Sequence, residues 1–355
     1  MKQGSRAIPV CAAALALGSC AAIFGERDPG GGAPEAAREP AVAMKRIPEW
    51  IRPSTRDLER SEALRAAIGF VEGGEYVRGA VLLQRVRAEP GAGPEVAALH
   101  AWCLLEAAST VEAERVAREG IAAHGADAPS LNYSLAVIHE LAQRPAEAYA
   151  AYLLVLRADP GDPVLARACA RTALADGRPA DALPHLDRLV SAAAPDPEAQ
   201  RMRAAALAGV GRLDDAMQIY EGLARDYPQD PVLLVQMGAA AFELARMSGR
   251  AEHRQRAGDL LARVVELDPQ HAGAHAMLGA TLAAGGDIGG AEAALRRTLE
   301  IEPNRLDTGF LLAQMLAERG RREAAREVLM ELLRQPLPGE AVAEIQRRLL
   351  ALEAE

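Results

Sequence analysis

Residues 277–303 read "MLGATLAAGGDIGGAEAALRRTLEIEP", and the spacing inside this stretch decides the fold. Gly279 and Ala291 are twelve residues apart, Leu295 follows Ala291 by four, and Pro303 follows it by twelve. Residues four apart share a helical face, so a small side chain with a leucine one turn later describes a close helix contact and the wedge beside it. Gly286 falls between two runs rich in Ala and Leu, where a turn needs left-handed dihedrals that cost glycine little. Proline closes the stretch because it cannot continue a helix. The unit predicted is a pair of antiparallel helices.

The same register recurs along the chain. Small residues at Gly79, Ala113, Ala148, Ala182, Ala216, Ala257, Ala291 and Ala325 are spaced by 34, 35, 34, 34, 41, 34 and 34. Four residues on come Leu83, Ala117, Tyr152, Leu186, Tyr220, Leu261, Leu295 and Leu329. Twelve before each sits a second small residue (Ala67, Ala101, Ala136, Ala170, Ala204, Gly279 and Ala313); in the sixth unit it is Gly238, nineteen before. Pro160, Pro228, Pro269 and Pro303 end four of the units, and Gly177, Gly211, Gly286 and Gly320 mark turns between helices. The extra seven residues near "SGRAEHRQ" (248–255) either lengthen the sixth pair or form a contact loop.

Composition agrees. Of the 355 residues, 50% are hydrophobic but only 3% aromatic, so Ala and Leu, both strong helix formers, carry the apolar surface. A formal net charge of −9, with no cluster of basic residues, speaks against a nucleic-acid footprint.

The register resembles the tetratricopeptide repeat, with its period of about 34 residues. The resemblance implies an all-α, right-handed α-solenoid of about eight helix pairs over residues 57–337, and a protein partner held in its concave groove. Residues 338–355 are the predicted C-terminal capping helix: Val342, Ile345, Leu349 and Leu352 form one stripe, opposite Glu340, Glu344, Arg347 and Arg348. The resemblance assigns the groove face to fixed positions of each first helix, which here are Trp102, Tyr133, Arg167, Arg171, Arg201, Phe242 and Phe310. Trp102 and Tyr133 are expected as an aromatic anchor patch, and the three arginines as a clamp for acidic groups.

Residues 1–20 fit a secretion signal, with Lys2 and Arg6 ahead of the apolar run Ala7–Leu17. Leu17-Gly18-Ser19-Cys20 resembles the bacterial lipobox, which implies that Cys20 carries lipid; ordinary cleavage beside Ser19-Cys20-Ala21 is the alternative. Ala21, by the same resemblance, implies sorting to the outer membrane with the body facing the periplasm. Residues 21–56 are rich in Gly, Pro, Ala and charge and read as a flexible tether, with "EWIRP" (49–53) as the place where it first docks on the body.

Chemistry is hard to find. "HELAQ" (139–143) approaches a zinc-protease motif but has Gln143 where the second histidine belongs, so His139 reads as a packing residue. Cys103 and Cys169 lie two repeats apart, beyond disulfide reach, and are expected as buried free thiols. No phosphate loop or nucleophile elbow is present, so neither an enzyme nor a cofactor is expected. The sequence therefore points to a lipid-anchored scaffold that assists assembly of a pilus, secretion or polysaccharide-export complex, or else to an adaptor recruiting peptidoglycan hydrolases or envelope proteases.

Overall fold

Proline and acidic residues set where most first helices begin. Pro94, Pro129, Pro163 and Pro231 each occupy a first helical position, where a missing N–H costs nothing. Asp162 and Asp230 cap two of these helices by accepting hydrogen bonds from the first-turn N–H groups. The computed structural model describes residues 47–191 and 196–354. Cys20, the signal reading and the tether up to residue 46 lie outside the described residues.

Among the described residues all regular structure is helical. A 3-10 turn at Glu49–Ile51 and a short helix α1 (Thr55–Arg60) precede eight pairs. These are α2 (Glu62–Glu72) with α3 (Tyr76–Val86), α4 (Pro94–Glu106) with α5 (Thr110–His124), α6 (Pro129–Leu141) with α7 (Pro145–Ala158), and α8 (Pro163–Ala175) with α9 (Pro179–Val190). They continue as α10 (Pro197–Gly209) with α11 (Leu213–Asp226), α12 (Pro231–Ser248) with α13 (Ala251–Leu267), α14 (Ala272–Gly285) with α15 (Ile288–Ile301), and α16 (Leu306–Glu318) with α17 (Arg322–Leu333). Helix α18 (Gly339–Ala354) follows. The fold is an all-helical α-solenoid of about eight helix pairs, in two compact units whose boundary falls at Gln200.

The small-residue register is the helix interface. Ala67, Ala101, Ala136, Ala170 and Ala204 are fully buried, as are Ala113, Ala148, Ala182, Ala216, Ala257, Ala291 and Ala325 on the second helices. A β-carbon added at Gly279 would stand 2.7 Å from the Leu295 side chain, so the two backbones approach as closely as glycine allows. Within each unit a pair packs on the first helix of the next, as α5 does on α6 and α13 on α14. Arginines tie neighbouring pairs: Arg144 Nη2 donates to Glu114 at 2.6 Å and Arg321 Nη1 to Glu292 at 2.6 Å. The hydrogen bond from Arg144, aided by Arg118, holds the Glu114 carboxyl down at about 2. Such solvent-accessible pairs mainly fix register, and the exposed ones stabilise by only about 0–1 kcal/mol each.

Two turns depart from the glycine rule. Ala108 and Gln143 take φ of 61° and 60°, in the same turn register that Gly177 and Gly211 fill with φ of 71° and 83°. Packing of the pairs imposes the left-handed turn even where a β-carbon opposes it. The insertion in the sixth unit lengthens its helices, to 18 residues in α12 and 17 in α13, rather than forming a loop. The overhang of α13 beside α14 leaves a cleft of about 540 Å³ lined by Arg254, Gly258, Asp259, Leu278, Leu282 and Asp287.

The last unit closes as expected. Ile345 is fully buried against Leu312, Leu316, Leu329 and Leu332, with Leu349 and Leu352 packed beside it. Arg348, expected on the solvent side of α18, instead lies over the Phe310 ring at 4.3 Å from its centroid. Cys103 and Cys169 are free and buried, and burial pushes both thiols up to about 12. His139 is buried at a packing position.

Candidate functional site

The face built by the first helices of the N-terminal unit is where the sequence places its aromatic anchors. Helices α4 and α6 pack side by side on this face. The 3-10 turn at 49–51 packs on both of them. Its backbone is closed by Ile51 N–H donating to Pro48 O at 3.1 Å and Arg52 N–H to Glu49 O at 3.2 Å. Ile47, Ile51 and Pro53 are buried, Ile51 completely. Residues 47–54, grouped by composition with the tether, are therefore seated on the body. Two isoleucines and a tryptophan within five residues give this piece a concentrated apolar surface to bury.

Trp50 fixes the far end of the seat. Its Nε1–H donates to Asp162 Oδ2 at 3.1 Å, across 112 residues of sequence. Asp162 Oδ1 meanwhile accepts from the N–H of Val164 at 2.7 Å and of Leu165 at 3.2 Å, capping α8. The two first-turn N–H groups lock the carboxylate's orientation. One oxygen serves the helix and the other serves the indole.

Trp102 and Tyr133, expected as an open anchor patch, are only 3% and 8% exposed. The segment 47–51 crosses the helices that carry them. Tyr133 meets Tyr152 edge-on, with centroids 6.1 Å apart and rings inclined at 77°. Tyr152 Oη donates to Glu140 Oε2 at 3.0 Å, and burial pushes its phenol further up, away from ionisation. Arg171 pairs with the same Glu140, through Nη1 and through Nη2 at 3.2 Å. Arg167 pairs with Asp196. Both arginines assigned to clamp a ligand's acidic groups thus already hold carboxylates of this chain.

The other three predicted residues belong to the unit that begins at Gln200. Arg201 is half-buried, with its charge acting on the buried Tyr220. Phe242 is buried, and Phe310 lies under Arg348. The structure joins Tyr133 and Arg171 through Tyr152 and Glu140, and adds Trp50 and Asp162 to the same face. Asp162 carries a sequence signal, an Asp directly before a helix-opening proline; Glu140 carries none beyond its place in "HELAQ". Among the described residues no group of three or more His, Cys, Asp or Glu is placed to hold a metal ion.

Comparison with known proteins agrees with this architecture. Family models described as tetratricopeptide repeat match residues 99–163, 168–231 and 242–305, and a second such model matches 282–349, together more than half of the chain. The chain belongs to the tetratricopeptide repeat family. It is similar in structure to human IFIT1, solved as a dimer with PPP-AAAA, at 14% identity and a TM-score of 0.50, covering 81% of this chain and 72% of that one. It is also similar to a tetratricopeptide repeat protein from Parabacteroides merdae, at 16% identity and a TM-score of 0.49, covering 74% and 99%. MamA from Desulfovibrio magneticus RS-1 matches at 22% identity and a TM-score of 0.43, over 48% of this chain and 95% of that one. These likenesses are of fold. No curated protein sequence matches the chain.

Proposed function

We propose that this tetratricopeptide array is a lipid-anchored, non-enzymatic scaffold of the bacterial cell envelope. It hangs from the outer membrane into the periplasm and assists assembly of a pilus, secretion or polysaccharide-export complex. The array itself is a protein–protein interaction scaffold, since stacked helix pairs present extended surfaces built from many short repeats. The observation that carries the envelope placement is Leu17-Gly18-Ser19-Cys20, behind a charged start and a short apolar run. That run is too short to cross a membrane as a helix, which takes about 20 apolar residues. Among the described residues, too, no helix is long and apolar enough to span.

Two experiments test the reading. Palmitate should label the wild-type chain in a bacterial host and not Cys20→Ala; equal labelling contradicts the anchor. Pull-down from detergent-solubilised envelopes should recover pilus, secretin or exporter subunits. Recovery of murein hydrolases or envelope proteases instead assigns the array to recruitment rather than assembly.

A further inference from the structure

The segment 47–53 belongs to no repeat, yet it buries Ile47, Ile51 and Pro53 against the N-terminal unit while Glu49 and Arg52 stay exposed. It does not cap an open end. Helices α4 and α6 already have their pair mates α5 and α7 and each other, so the stack at this point is complete without it. What the segment covers is a face, not an edge. It crosses the first helices of the second and third pairs and reaches Asp162 at the start of the fourth. Its contacts are those of a bound peptide: buried aliphatic side chains, a short 3-10 turn, and one indole N–H on a fixed carboxylate oxygen.

We propose that this face is a peptide-recognition seat and that residues 47–53 are its built-in occupant. The seat reads a short 3-10 turn in which an aromatic N–H donor is followed at once by a β-branched aliphatic residue. Asp162 Oδ2 supplies the fixed acceptor, held in place because Oδ1 is committed to capping α8. The faces of α4 and α6, which carry Trp102 and Tyr133, supply the apolar floor. In the resting molecule the seat is filled in cis; a partner peptide of the same pattern takes it by displacing 47–53. Tethering gives the internal segment an effective concentration near millimolar, so a free peptide competes at a disadvantage until the segment leaves. This inference rests on the array being a protein-binding scaffold and is independent of the lipid anchor, which the palmitate experiment tests separately.

The chain contains two tryptophans, Trp50 in the segment and Trp102 on α4, one of the two helices the segment packs on. In the full chain carrying Trp50→Phe and Ile51→Asp, Trp102 is the sole tryptophan and is excited selectively at the red edge, where tyrosine does not absorb. Acrylamide should quench it several-fold more than in Trp50→Phe alone, with helicity unchanged. A fluorescein-labelled peptide of residues 47–54 should bind this released chain and bind the wild type at least about tenfold more weakly, as the tethered competitor requires. Asp162→Asn, which keeps a helix-capping side chain, should weaken peptide binding to the released chain about tenfold. Should the double variant unfold, Ile51→Ala offers a gentler release and must shift quenching and binding in the same direction. Unchanged Trp102 quenching, no peptide binding to a folded released chain, or equal binding to both chains overturns the proposal. A wild-type dimer that Ile51→Asp dissociates would place the segment in a second copy and overturn the cis assignment.

Discussion

Two segments outside the repeats each pack on the array, one across the first helices α4 and α6 and one on α17, the second helix of the last pair, and they do so by different means. Near the start of the array, residues 47–53 lie on the helices of Trp102 and Tyr133 with little regular structure and one long-range hydrogen bond. At the end, α18 lays a 16-residue amphipathic helix on the last pair, burying Ile345 among four leucines and placing Arg348 over Phe310. Ordering a residue costs about 1–2 kcal/mol of backbone entropy, while burying an isoleucine returns about 1.5–3 kcal/mol. A segment with two such side chains has little in reserve. The helix satisfies its own backbone and buries a continuous stripe, so it is a permanent closure. Burial alone does not separate the two, because Ile51 and Ile345 are both fully buried; the number of other groups each brings with it does.

Substitutions can break or sharpen this contrast. The largest effect is expected from Ile345→Ala, which should destabilise the C-terminal unit by about 2–5 kcal/mol in urea unfolding. Gly279→Ala comes next: its new β-carbon meets Leu295 at 2.7 Å, and a loss of about 1–3 kcal/mol should appear as a lower midpoint. Acid should act on the seat's own unit. Burial first, then Arg87 and Arg115, lower His100 on α4 from 6.5 to about 4. The unfolded chain therefore binds a proton at His100 that the folded chain refuses, so this contribution is full above pH 6.5 and lost as pH falls toward 4. His100→Leu should flatten the fall in melting temperature across that window. Glycine at Ala108 or Gln143 relieves a left-handed strain and should raise stability by about 0.5–1 kcal/mol each. Smallest of all in global unfolding is Ile51→Ala, below about 1 kcal/mol, because the seat opens without the array.

The repeat fold is legible in the sequence because its cause is local and periodic. Ala136, Ala148 and Tyr152 announce a helix pair by spacing alone, and each is buried where the spacing puts it. The stripe on α18 is legible for the same reason. The turns at Ala108 and Gln143 are readable only by register, since the residue types there argue against left-handed backbone. The site is legible as positions but not as a surface. Nothing in the local pattern says that Arg171 is held by Glu140 from the preceding pair, or Arg167 by Asp196 from beyond α9. Least visible is the segment packed on α4 and α6, the helices that carry Trp102 and Tyr133. "EWIRP" stands out as a docking sequence, but the carboxylate that receives Trp50 is 112 residues away.

Hydrogen–deuterium exchange on the intact chain, followed by peptide-level mass analysis, compares the two covers directly. Amides of residues 47–53 should exchange orders of magnitude faster than those of α18 around Ile345, with α4 and α6 remaining protected beneath them. Equal protection of 47–53 and 339–354 would make the N-terminal segment a fixed part of the fold and contradict a seat that opens.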